Sequence, residues 1–276
     1  MKKYIYLLFF VLITIFHHIK PVDAKEICIK KHCFEWPILE DGTILRKVNH
    51  RGVWSKPPGD GPFPALIIAE SCGGSNDAVN KDWPAFFNGL GYATYTPRVL
   101  DEMGHKYCPN IKFVLSNQNR IKMLEILYSA LDGLSSKPYV KQDHVGIIGF
   151  SLGGINIRDA GEIKNLRSAE GHKFKFAIPV YGSCTLQNMR GDKIPTLIVQ
   201  AEKEKPHKVK LCRKVKNKNF KNVTYHEIKN AYHGFDDKRQ SEIFTDIAGN
   251  KMLYSVDATE EAKRIIKKFL ELVEHQ

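Results

Sequence analysis

Short apolar runs alternate with longer amphipathic segments along most of the chain. The apolar, β-branched runs are bounded by turn residues and predict strands at residues 65–69, 92–96, 145–148, 176–181, 196–200 and 223–228. Between them, apolar positions at helical spacing predict helices at residues 82–90, 119–134, 152–166, 207–215 and 259–273. This alternation predicts an α/β fold, with a mostly parallel sheet and helices on both of its faces.

Two stretches depart from the alternation. Residues 28–53 contain β-like pieces around Gly42 and predict an antiparallel hairpin at the edge of the sheet. Residues 238–253 lack periodicity and predict a loop or a short insertion. No internal repeat or low-complexity tract interrupts the pattern.

The N-terminus has the pattern of a secretory signal. Lys2 and Lys3 precede the apolar run 4–16, and residues 22–24 resemble a small-residue cleavage site. An uncleaved membrane anchor is the alternative, but the run is shorter than the roughly 20 residues that span a bilayer. Residues 1–24 are therefore predicted to be a signal peptide, and the protein is predicted to be exported, either periplasmic or secreted.

The remaining segment, residues 25–276, is predicted to be a single domain. The full chain has 42 basic and 30 acidic side chains and a formal net charge of +12. Its lysines are scattered, and the densest basic stretch, 205–221, is typical of a solvated helix face. We therefore expect no nucleic-acid partner, and only weak contact with an anionic membrane or polysaccharide. The sequence does not predict an oligomeric state.

An even number of cysteines in an exported chain predicts disulfides. Chain order and the surrounding elements favour three pairings out of the fifteen that six cysteines allow. These pairings are Cys28 with Cys33, Cys72 with Cys108, and Cys184 with Cys212. No C-x-x-C pair or matching histidine spacing is present, so no metal site or cofactor is predicted.

The candidate chemistry begins at a serine that directly follows a predicted strand. Gly149, Ser151 and Gly153 form a G-x-S-x-G pattern between the strand at 145–148 and the helix at 152–166. Such a strand-turn-helix elbow forces the serine into a strained conformation that only small neighbours tolerate. It exposes the hydroxyl beside the free N–H groups of the helix, where an oxyanion could be stabilised. This pattern predicts acyl-transfer chemistry with Ser151 as the nucleophile.

A serine nucleophile needs a base and a carboxylate that orients the base. Of the downstream histidines, His233 follows the last predicted strand and has a glycine beside it. His226 lies inside a strand, His275 is terminal, and His172 precedes a strand. His233 is therefore the predicted base.

The acid is expected between the serine and the histidine in chain order. Glu204 lies in the loop past the strand at 196–200, where its carboxylate could turn toward the base. Glu202 lies nearer the strand and is the second choice, so both alternatives stay open.

An oxyanion hole needs two convergent donors. The N–H of Leu152, which follows the nucleophile, is the first candidate. The second is the N–H of Cys72 in the glycine-rich turn 70–74, although this segment could also be a simple turn. Ser71 is a competing nucleophile that lacks an elbow. The walls of the substrate pocket are expected from loops 101–117 and 158–173, whose sequences do not identify the substrate.

With these residues the chain resembles the dienelactone hydrolase family of α/β-hydrolases over most of residues 25–276. The resemblance is carried, in order, by residues 64–74, 83–94, 143–154, 180–184 and 231–236. It implies the α/β-hydrolase fold and hydrolysis of an ester or lactone through an acyl-enzyme, with Ser151, Glu204 and His233 at the triad positions.

Two departures from the family pattern matter. Founding members carry cysteine as nucleophile and aspartate as acid, so this chain is a serine-nucleophile variant and a lactone preference does not carry over. Glu70 also stands where relatives with this type of turn often have histidine.

Two functions of different classes follow from the sequence. The first is an exported serine hydrolase that cleaves an ester, a thioester or a lactone. The second is a non-catalytic envelope binding protein on the same scaffold. The ordered nucleophile, acid and base favour the enzyme, whereas the Glu70 departure slightly favours the binding protein.

Overall fold

The computed structural model divides the chain into two units, Met1–Ile38 and Leu39–Gln276. It describes residues 25–29, 32–36, 42–162, 166–182, 184, 194–217 and 220–275. In the first unit, strands β1 (Lys25–Ile29) and β2 (His32–Trp36) pair antiparallel in a two-stranded sheet of their own. The predicted signal peptide lies outside the described residues.

The N-terminal hairpin therefore lies earlier than predicted, and its strands form a separate sheet rather than the edge of the seven-stranded sheet described below. Gly42 is not its centre but a turn residue with a φ of +84°. The alternating apolar positions that pair in β1 and β2 come before it, with Cys28 opposite Cys33 in the backbone register. The predicted disulfide between these two cysteines lies outside the described side chains.

The second unit contains a seven-stranded sheet with the order β3-β5-β4-β6-β7-β8-β9. Its strands are β3 (Gly52–Ser55), β4 (Phe63–Ala69), β5 (Ala93–Pro97), β6 (Val140–Phe150), β7 (Ala177–Val180), β8 (Thr196–Ala201) and β9 (Val223–Ile228). The edge strand β3 pairs antiparallel, and the other neighbours pair parallel. All of the predicted strands are present, and the predicted mostly parallel sheet is confirmed.

The helices cover both faces of this sheet, as predicted. They are α1 (Trp83–Gly89), α2 (Val99–Glu102), α3 (Ile111–Leu115), α4 (Asn117–Ser135), α5 (Leu152–Glu162), α6 (Pro206–Asn217) and α7 (Val256–Glu274). A π-helical turn, Ala78–Asp82, leads into α1. Ser116 and Ser255 cap α4 and α7, because their side chains accept hydrogen bonds from N–H groups of the first turn. Among the described residues, no helix has the length and apolarity needed to cross a membrane.

The two faces of the sheet bury alternate residues of the same strand. On β4, Ala65 and Ile67 pack into one apolar core together with residues of α4, whereas Leu66 and Ile68 pack into a second core with residues of α1 and α7. A strand that is buried on both faces needs apolar residues at consecutive positions. This requirement explains why the sequence shows continuous apolar runs there.

Parallel strands place their carboxyl ends at one edge of the sheet. The chain moves from β4 outward to β5 and then returns to β6 on the other side of β4, so the connection reverses between β4 and β6. Crevices at such reversal points are the usual ligand sites of open α/β sheets. Glu70 directly follows β4, and Ser151 directly follows β6.

Two disulfides cross-link segments of the second unit. Cys72 is bonded to Cys108, and Cys184 is bonded to Cys212, with Cα–Cα distances of 4.9 and 5.0 Å. Both pairings are those expected from the sequence. Cys212 lies on the buried side of α6, whereas Lys210, Arg213 and Lys214 are exposed, so this helix carries the solvated basic face that was predicted.

The aperiodic stretch 238–253 contains a second hairpin. Strands β10 (Phe244–Thr245) and β11 (Lys251–Met252) pair antiparallel and form a short insertion, which agrees with the prediction. Each strand has only two residues, so neither carries a period that a sequence pattern could reveal. Met252 also forms an isolated bridge with His233, which places the insertion beside the histidine loop.

Candidate active site

Ser151 occupies a sharp turn between β6 and α5. Its φ of +51° lies in the left-handed region, which non-glycine residues rarely adopt, and its N–H donates to the carbonyl oxygen of Val180 at 3.0 Å. A Cβ on Gly149 would lie 2.5 Å from the carbonyl carbon of Gly153, and a Cβ on Gly153 would lie 2.3 Å from the carbonyl oxygen of Ala69. Both glycines are therefore steric requirements of the elbow, as the G-x-S-x-G pattern predicts.

The structure brings Ser151, His233 and Glu204 into one hydrogen-bonded chain. His233 Nε2 lies 2.8 Å from Ser151 Oγ, and His233 Nδ1 lies 2.6 Å from Glu204 Oε1. The backbone of His233 is hydrogen-bonded to the segment that forms β11. The N–H of His233 donates to the carbonyl oxygen of Lys251, and the N–H of Leu253 donates to the carbonyl oxygen of His233. This is the geometry in which an imidazole can accept a hydroxyl proton while a carboxylate holds its tautomer.

Glu204 is buried, with 4 % of its surface exposed. Burial alone raises the pKa of a carboxyl group, but the charge and hydrogen bond of His233 and the nearby Lys208 outweigh it and lower the pKa of Glu204. The Lys208 ammonium lies 3.5 Å from Glu204 Oε2. Glu204 is therefore held in its ionised form beside the imidazole.

Glu202 faces a different set of partners. Its carboxylate accepts hydrogen bonds from the Lys229 ammonium and from the N–H of Asn230, both at 2.9 Å, and it holds the turn that follows β9. Of the two carboxylates left open by the sequence, the structure places Glu204 in contact with the imidazole.

The other downstream histidines lie elsewhere. His226 pairs with Glu261 at 2.8 Å, His172 pairs with Asp132 at 2.8 Å, His207 lies on the exposed side of α6, and His275 follows α7. The predicted base is the histidine that contacts Ser151.

The turn after β4 lies beside the serine, as expected for an oxyanion loop. Gly74 N–H donates to the carbonyl oxygen of Ser71, and Gly73 N–H donates to Ser71 Oγ at 3.1 Å. Ser71 Oγ thus accepts a hydrogen bond within its own turn. The hydroxyl that His233 contacts is that of Ser151, not that of Ser71. Cys72 N–H has no acceptor among the described residues, and Leu152 begins α5, where N–H groups lack intrahelical acceptors. Both N–H groups therefore remain candidate donors to an oxyanion.

Glu70 is a feature that the sequence pattern did not explain. Its side chain is buried, and it accepts a hydrogen bond from the N–H of Leu100 at 2.6 Å. Burial raises the pKa of Glu70 to about 7, against the lowering effect of the Leu100 hydrogen bond. The carboxyl group ties the end of β4 to the helix α2. Its partner is a backbone group 30 residues away, so no local sequence signal could have identified this contact.

A buried network supports the histidine loop from inside the protein. The Tyr181 ring packs against the His233 ring with centroids 4.8 Å apart, and the Tyr181 hydroxyl donates to Asp236 at 2.5 Å. Trp83 Nε1 donates to the other oxygen of Asp236 at 2.7 Å. Burial raises the pKa of Asp236, partly offset by these two hydrogen bonds. The network anchors the residue three positions after His233 to the start of α1.

The serine and the histidine open into a cavity of about 330 Å³. Tyr107 and Cys108 contribute to its wall from loop 101–117, as expected. Loop 158–173 was also expected to line the pocket, and this expectation is wrong for its described residues, none of which lines the cavity. The insertion at 238–253 lines it instead, with Arg239, Phe244 and Ile247. The insertion reaches the cavity because it pairs with the backbone of the histidine loop, a long-range contact that has no sequence period.

Asp246, at the turn of this insertion, is a further polar group that the sequence reasoning missed. Its Oδ2 lies 4.0 Å from His233 Nε2, and Asn250 donates to both carboxylate oxygens through its N–H and its side chain. Asp246 therefore places a second carboxylate near the His233 imidazole, on the side of Nε2.

Comparison with known proteins identifies the family. A sequence model described as the dienelactone hydrolase family matches residues 51–274. The chain belongs to the dienelactone hydrolase family. The resemblance inferred from the sequence is therefore confirmed, and membership makes the protein a hydrolase of carboxylic esters. No curated protein matches the chain in sequence.

Solved structures show the same fold as this dienelactone hydrolase family member. The putative dienelactone hydrolase from Klebsiella pneumoniae is 16% identical, with a TM-score of 0.63 over 81% of this chain and 93% of that chain. A thermophilic esterase from Thermogutta terrifontis, solved with propionate bound, is 13% identical, with a TM-score of 0.58 over 82% and 90%. Est1E from Butyrivibrio proteoclasticus, solved with ferulic acid bound, is 16% identical, with a TM-score of 0.56 over 82% and 96%.

Proposed function

We propose that this dienelactone hydrolase family member is an exported serine hydrolase that cleaves an ester, a thioester or a lactone through an acyl-enzyme intermediate. Ser151 acts as nucleophile, His233 as general base and acid, and Glu204 as the orienting carboxylate. The observation that carries the proposal is the continuous hydrogen-bonded chain from Ser151 Oγ through His233 to Glu204 at the floor of a cavity.

In the acylation step, the Ser151 oxygen attacks the substrate carbonyl carbon while its proton passes to His233 Nε2. The carbonyl oxygen gains negative charge, and the N–H groups of Leu152 and Cys72 stabilise it. Glu204, ionised and bonded to Nδ1, stabilises the imidazolium without taking its proton. When the tetrahedral intermediate collapses, the alcohol or thiol leaves with the proton from His233.

Deacylation repeats the cycle with water. His233, neutral again, takes a proton from a water molecule that attacks the acyl carbon. The collapse of the second intermediate then returns that proton to Ser151 and releases the acid. Asp246, 4.0 Å from Nε2, adds to the stabilisation of the imidazolium in both steps.

The size and lining of the cavity favour a small substrate. Its volume of about 330 Å³ is near the lower end of the range, roughly 300–1,000 Å³, that small-molecule sites occupy. Tyr107, Phe244 and Ile247 supply an apolar wall, whereas Arg239 is polar. Export is supported by the N-terminal signal pattern and by the two disulfides, since disulfides persist mainly in oxidising compartments.

The proposed nucleophile is tested by hydrolysis of a short-chain p-nitrophenyl ester. Ser151→Ala should lower kcat on the order of 10⁵- to 10⁶-fold, because removal of a triad nucleophile leaves only binding and the oxyanion hole. Ser71→Ala is the matched control and should keep most of the activity. Equal rates for Ser151→Ala and the unmodified protein, or no hydrolysis of an ester and lactone library by either, would overturn the proposal.

A further inference from the structure

A second cluster of potential ligands lies apart from the catalytic cavity. Asp132 on α4 and Glu170 and His172 on the loop before β7 place their donor atoms within 4.8 Å of one another. None of these residues lines the cavity at Ser151. An imidazole and two carboxylates form a donor set that suits zinc and related divalent metals.

Asp132 supplies an observation that points to a missing ligand. The residue is 1% exposed, and its Oδ1 lies 2.8 Å from His172 Nδ1. Its other oxygen, Oδ2, is buried and has no hydrogen-bond partner. A buried carboxylate oxygen without a partner is costly, and buried charges are usually paired or bind metals. A cation bound between the three side chains would satisfy it.

The loop that carries Glu170 and His172 is held in its conformation by hydrogen bonds within residues 168–172. Gly171 N–H donates to the carbonyl oxygen of Ser168, Ser168 N–H donates to the carbonyl oxygen of His172, and His172 N–H donates to Ser168 Oγ. Gly171 has a φ of +89°, which glycine adopts without strain. This turn holds Glu170 and His172 toward α4 without help from a metal, so little ordering is needed when one binds.

Gln142 is placed to orient the histidine ligand. Its side-chain amide lies 2.9 Å from His172 Nε2. Metal ligation through Nδ1 requires the proton on Nε2, and a half-turn of the Gln142 amide presents its oxygen to accept that proton. Metal-bound histidines almost always donate their second ring N–H in this way.

Lys47 currently supplies the positive charge at this cluster. Its ammonium is hydrogen-bonded to Glu170, and the two side chains are 62% and 42% exposed. Exposed ion pairs contribute little to stability. A divalent cation would therefore displace the Lys47 ammonium from Glu170 at small cost.

We propose that Asp132, Glu170 and His172 form a divalent-metal site, with Zn²⁺ as the preferred ion and Gln142 as its orienting partner. The bound ion joins α4 to the turn before β7. No single segment contributes all three ligands, and the two on the loop are adjacent to a glycine rather than at a helical spacing, which explains why the sequence shows no metal motif.

The test is a calorimetric Zn²⁺ titration of the purified protein with its disulfides intact and any free thiol alkylated. The parent protein of this test carries His233→Ala, so that the catalytic imidazole does not contribute, and every variant is made in this parent. The parent should bind one Zn²⁺, and His172→Gln and Glu170→Gln should each weaken Zn²⁺ binding about tenfold or more. His226→Gln is the matched control, because His226 also pairs with a carboxylate, Glu261, but belongs to no three-residue cluster among the described residues. Its affinity should be unchanged.

Two further variants sharpen the result. Lys47→Met should strengthen Zn²⁺ binding by removing the competing ammonium, and Gln142→Ala should weaken it about 10- to 100-fold, as loss of an orienting partner does in other metal sites. Equal Zn²⁺ affinity in the parent and His172→Gln, or no uptake in either the parent or Lys47→Met, would overturn the proposal. Ca²⁺ binding as tight as Zn²⁺ binding would overturn the role of the imidazole, because Ca²⁺ prefers oxygen ligands.

Discussion

Two buried glutamates, Glu70 and Glu204, follow strands of the same sheet and are ionised to different extents. Glu70 comes directly after β4, and Glu204 comes three residues after β8; each is 4% exposed. The pKa of Glu70 is raised to about 7, whereas the pKa of Glu204 is lowered below its ordinary value. The two carboxyl groups are therefore equally buried, but their pKa values are shifted in opposite directions.

The partners of the two carboxyl groups account for the difference. Burial raises both pKa values, but Glu204 is compensated by the charge and hydrogen bond of His233 and by Lys208. Glu70 receives one backbone hydrogen bond from Leu100, and the charge of nearby Asp101 raises its pKa further against the weak opposing effect of Arg98. Burial sets the cost of a charge, and cationic neighbours decide whether the charge is retained.

The two loops are thus suited to different tasks. The loop with Glu204 offers a fixed negative charge, which an imidazole needs when it becomes protonated. The loop with Glu70 is held by a carboxyl group that is only partly ionised near pH 7, so it adds less negative charge than an ordinary glutamate would beside the place where the oxyanion would form. The contrast between the two loops can be tested with variants of both carboxyl groups and of the groups that hold them.

The largest expected effect follows from neutralising the charged member of the pair. Glu204→Gln should lower kcat about 10⁴-fold, because a neutral amide no longer fixes the tautomer of His233 or stabilises its protonated form. Steady-state kinetics with a p-nitrophenyl ester measures the change. Glu202→Gln removes a carboxylate of the same segment that pairs with Lys229 instead, and it should lower the rate by less than about tenfold. The reverse ranking of these two variants would show that the assignment of the acid is wrong.

The oxyanion loop is held by a disulfide as well as by Glu70. Replacing Cys72 and Cys108 together by alanine should lower the free energy of unfolding by about 3 to 4 kcal/mol, because the bond closes a loop of 36 residues. It should also lower kcat, since the N–H of Cys72 loses its fixed position. The matched control replaces Cys184 and Cys212, which do not line the cavity and should cost similar stability without the loss of kcat. Denaturant unfolding measures the loss of stability in both double variants, and ester hydrolysis measures the loss of kcat. Equal kcat in the two double variants would contradict a role of the Cys72 loop in catalysis.

The raised pKa of Glu70 predicts a stability change with pH. The folded protein retains the Glu70 proton up to about pH 7, whereas the unfolded chain releases it near the ordinary glutamate pKa of 4.5. The stability contributed by this group is therefore complete below about pH 4.5 and is lost as the pH rises to about 7, by roughly 3 kcal/mol. Glu70→Gln, which cannot ionise, should lack this component.

Urea unfolding at pH 5 and pH 8 measures the difference between the unmodified protein and Glu70→Gln. The unmodified protein should lose more stability between the two pH values than the variant does. Parallel pH dependences of the two proteins would mean that Glu70 titrates near its ordinary pKa and that the contrast with Glu204 is not real.

The smallest expected effect concerns the cation that helps to keep Glu204 ionised. Lys208→Met removes an ammonium 3.5 Å from Glu204 Oε2 and should lower kcat by less than about tenfold near neutral pH. It should also move the acidic limb of the kcat/KM profile to higher pH, because the pKa of Glu204 rises. Lys210→Met, on the exposed side of the same helix, is the control and should leave the profile unchanged.

The local parts of the fold were predictable because they depend on neighbouring residues. The apolar runs predicted every strand of the central sheet except the edge strand β3, which is short and has no fully buried residue. The elbow at Ser151 was predictable as well, because its G-x-S-x-G pattern is local in the sequence. Gly149 is required by a contact with Gly153 four residues away, whereas Gly153 is required by a contact with Ala69 at the end of β4. Chain order and strand ends selected His233 and left Glu204 and Glu202 as alternatives for the acid. The contacts that distinguish the two, with His233 and with Lys229, are not local in the sequence.

The features that were missed depend on contacts between distant segments. Glu70 binds a backbone N–H on α2, and Asp246 reaches the imidazole from a hairpin with strands of two residues. Neither contact produces a period, a turn signature or a motif. For the same reason, the wall of the cavity was expected from loop 158–173 rather than from the insertion that pairs with the histidine loop.

The central claim is that Ser151 forms a covalent acyl intermediate, and covalent trapping tests it most directly. The protein is reacted with a fluorophosphonate, digested and analysed by mass spectrometry. We predict a single adduct on the peptide that contains Ser151, which is lost in Ser151→Ala and strongly slowed in Glu204→Gln. An adduct on Ser71, or labelling of Ser151→Ala at the rate of the unmodified protein, would contradict the account.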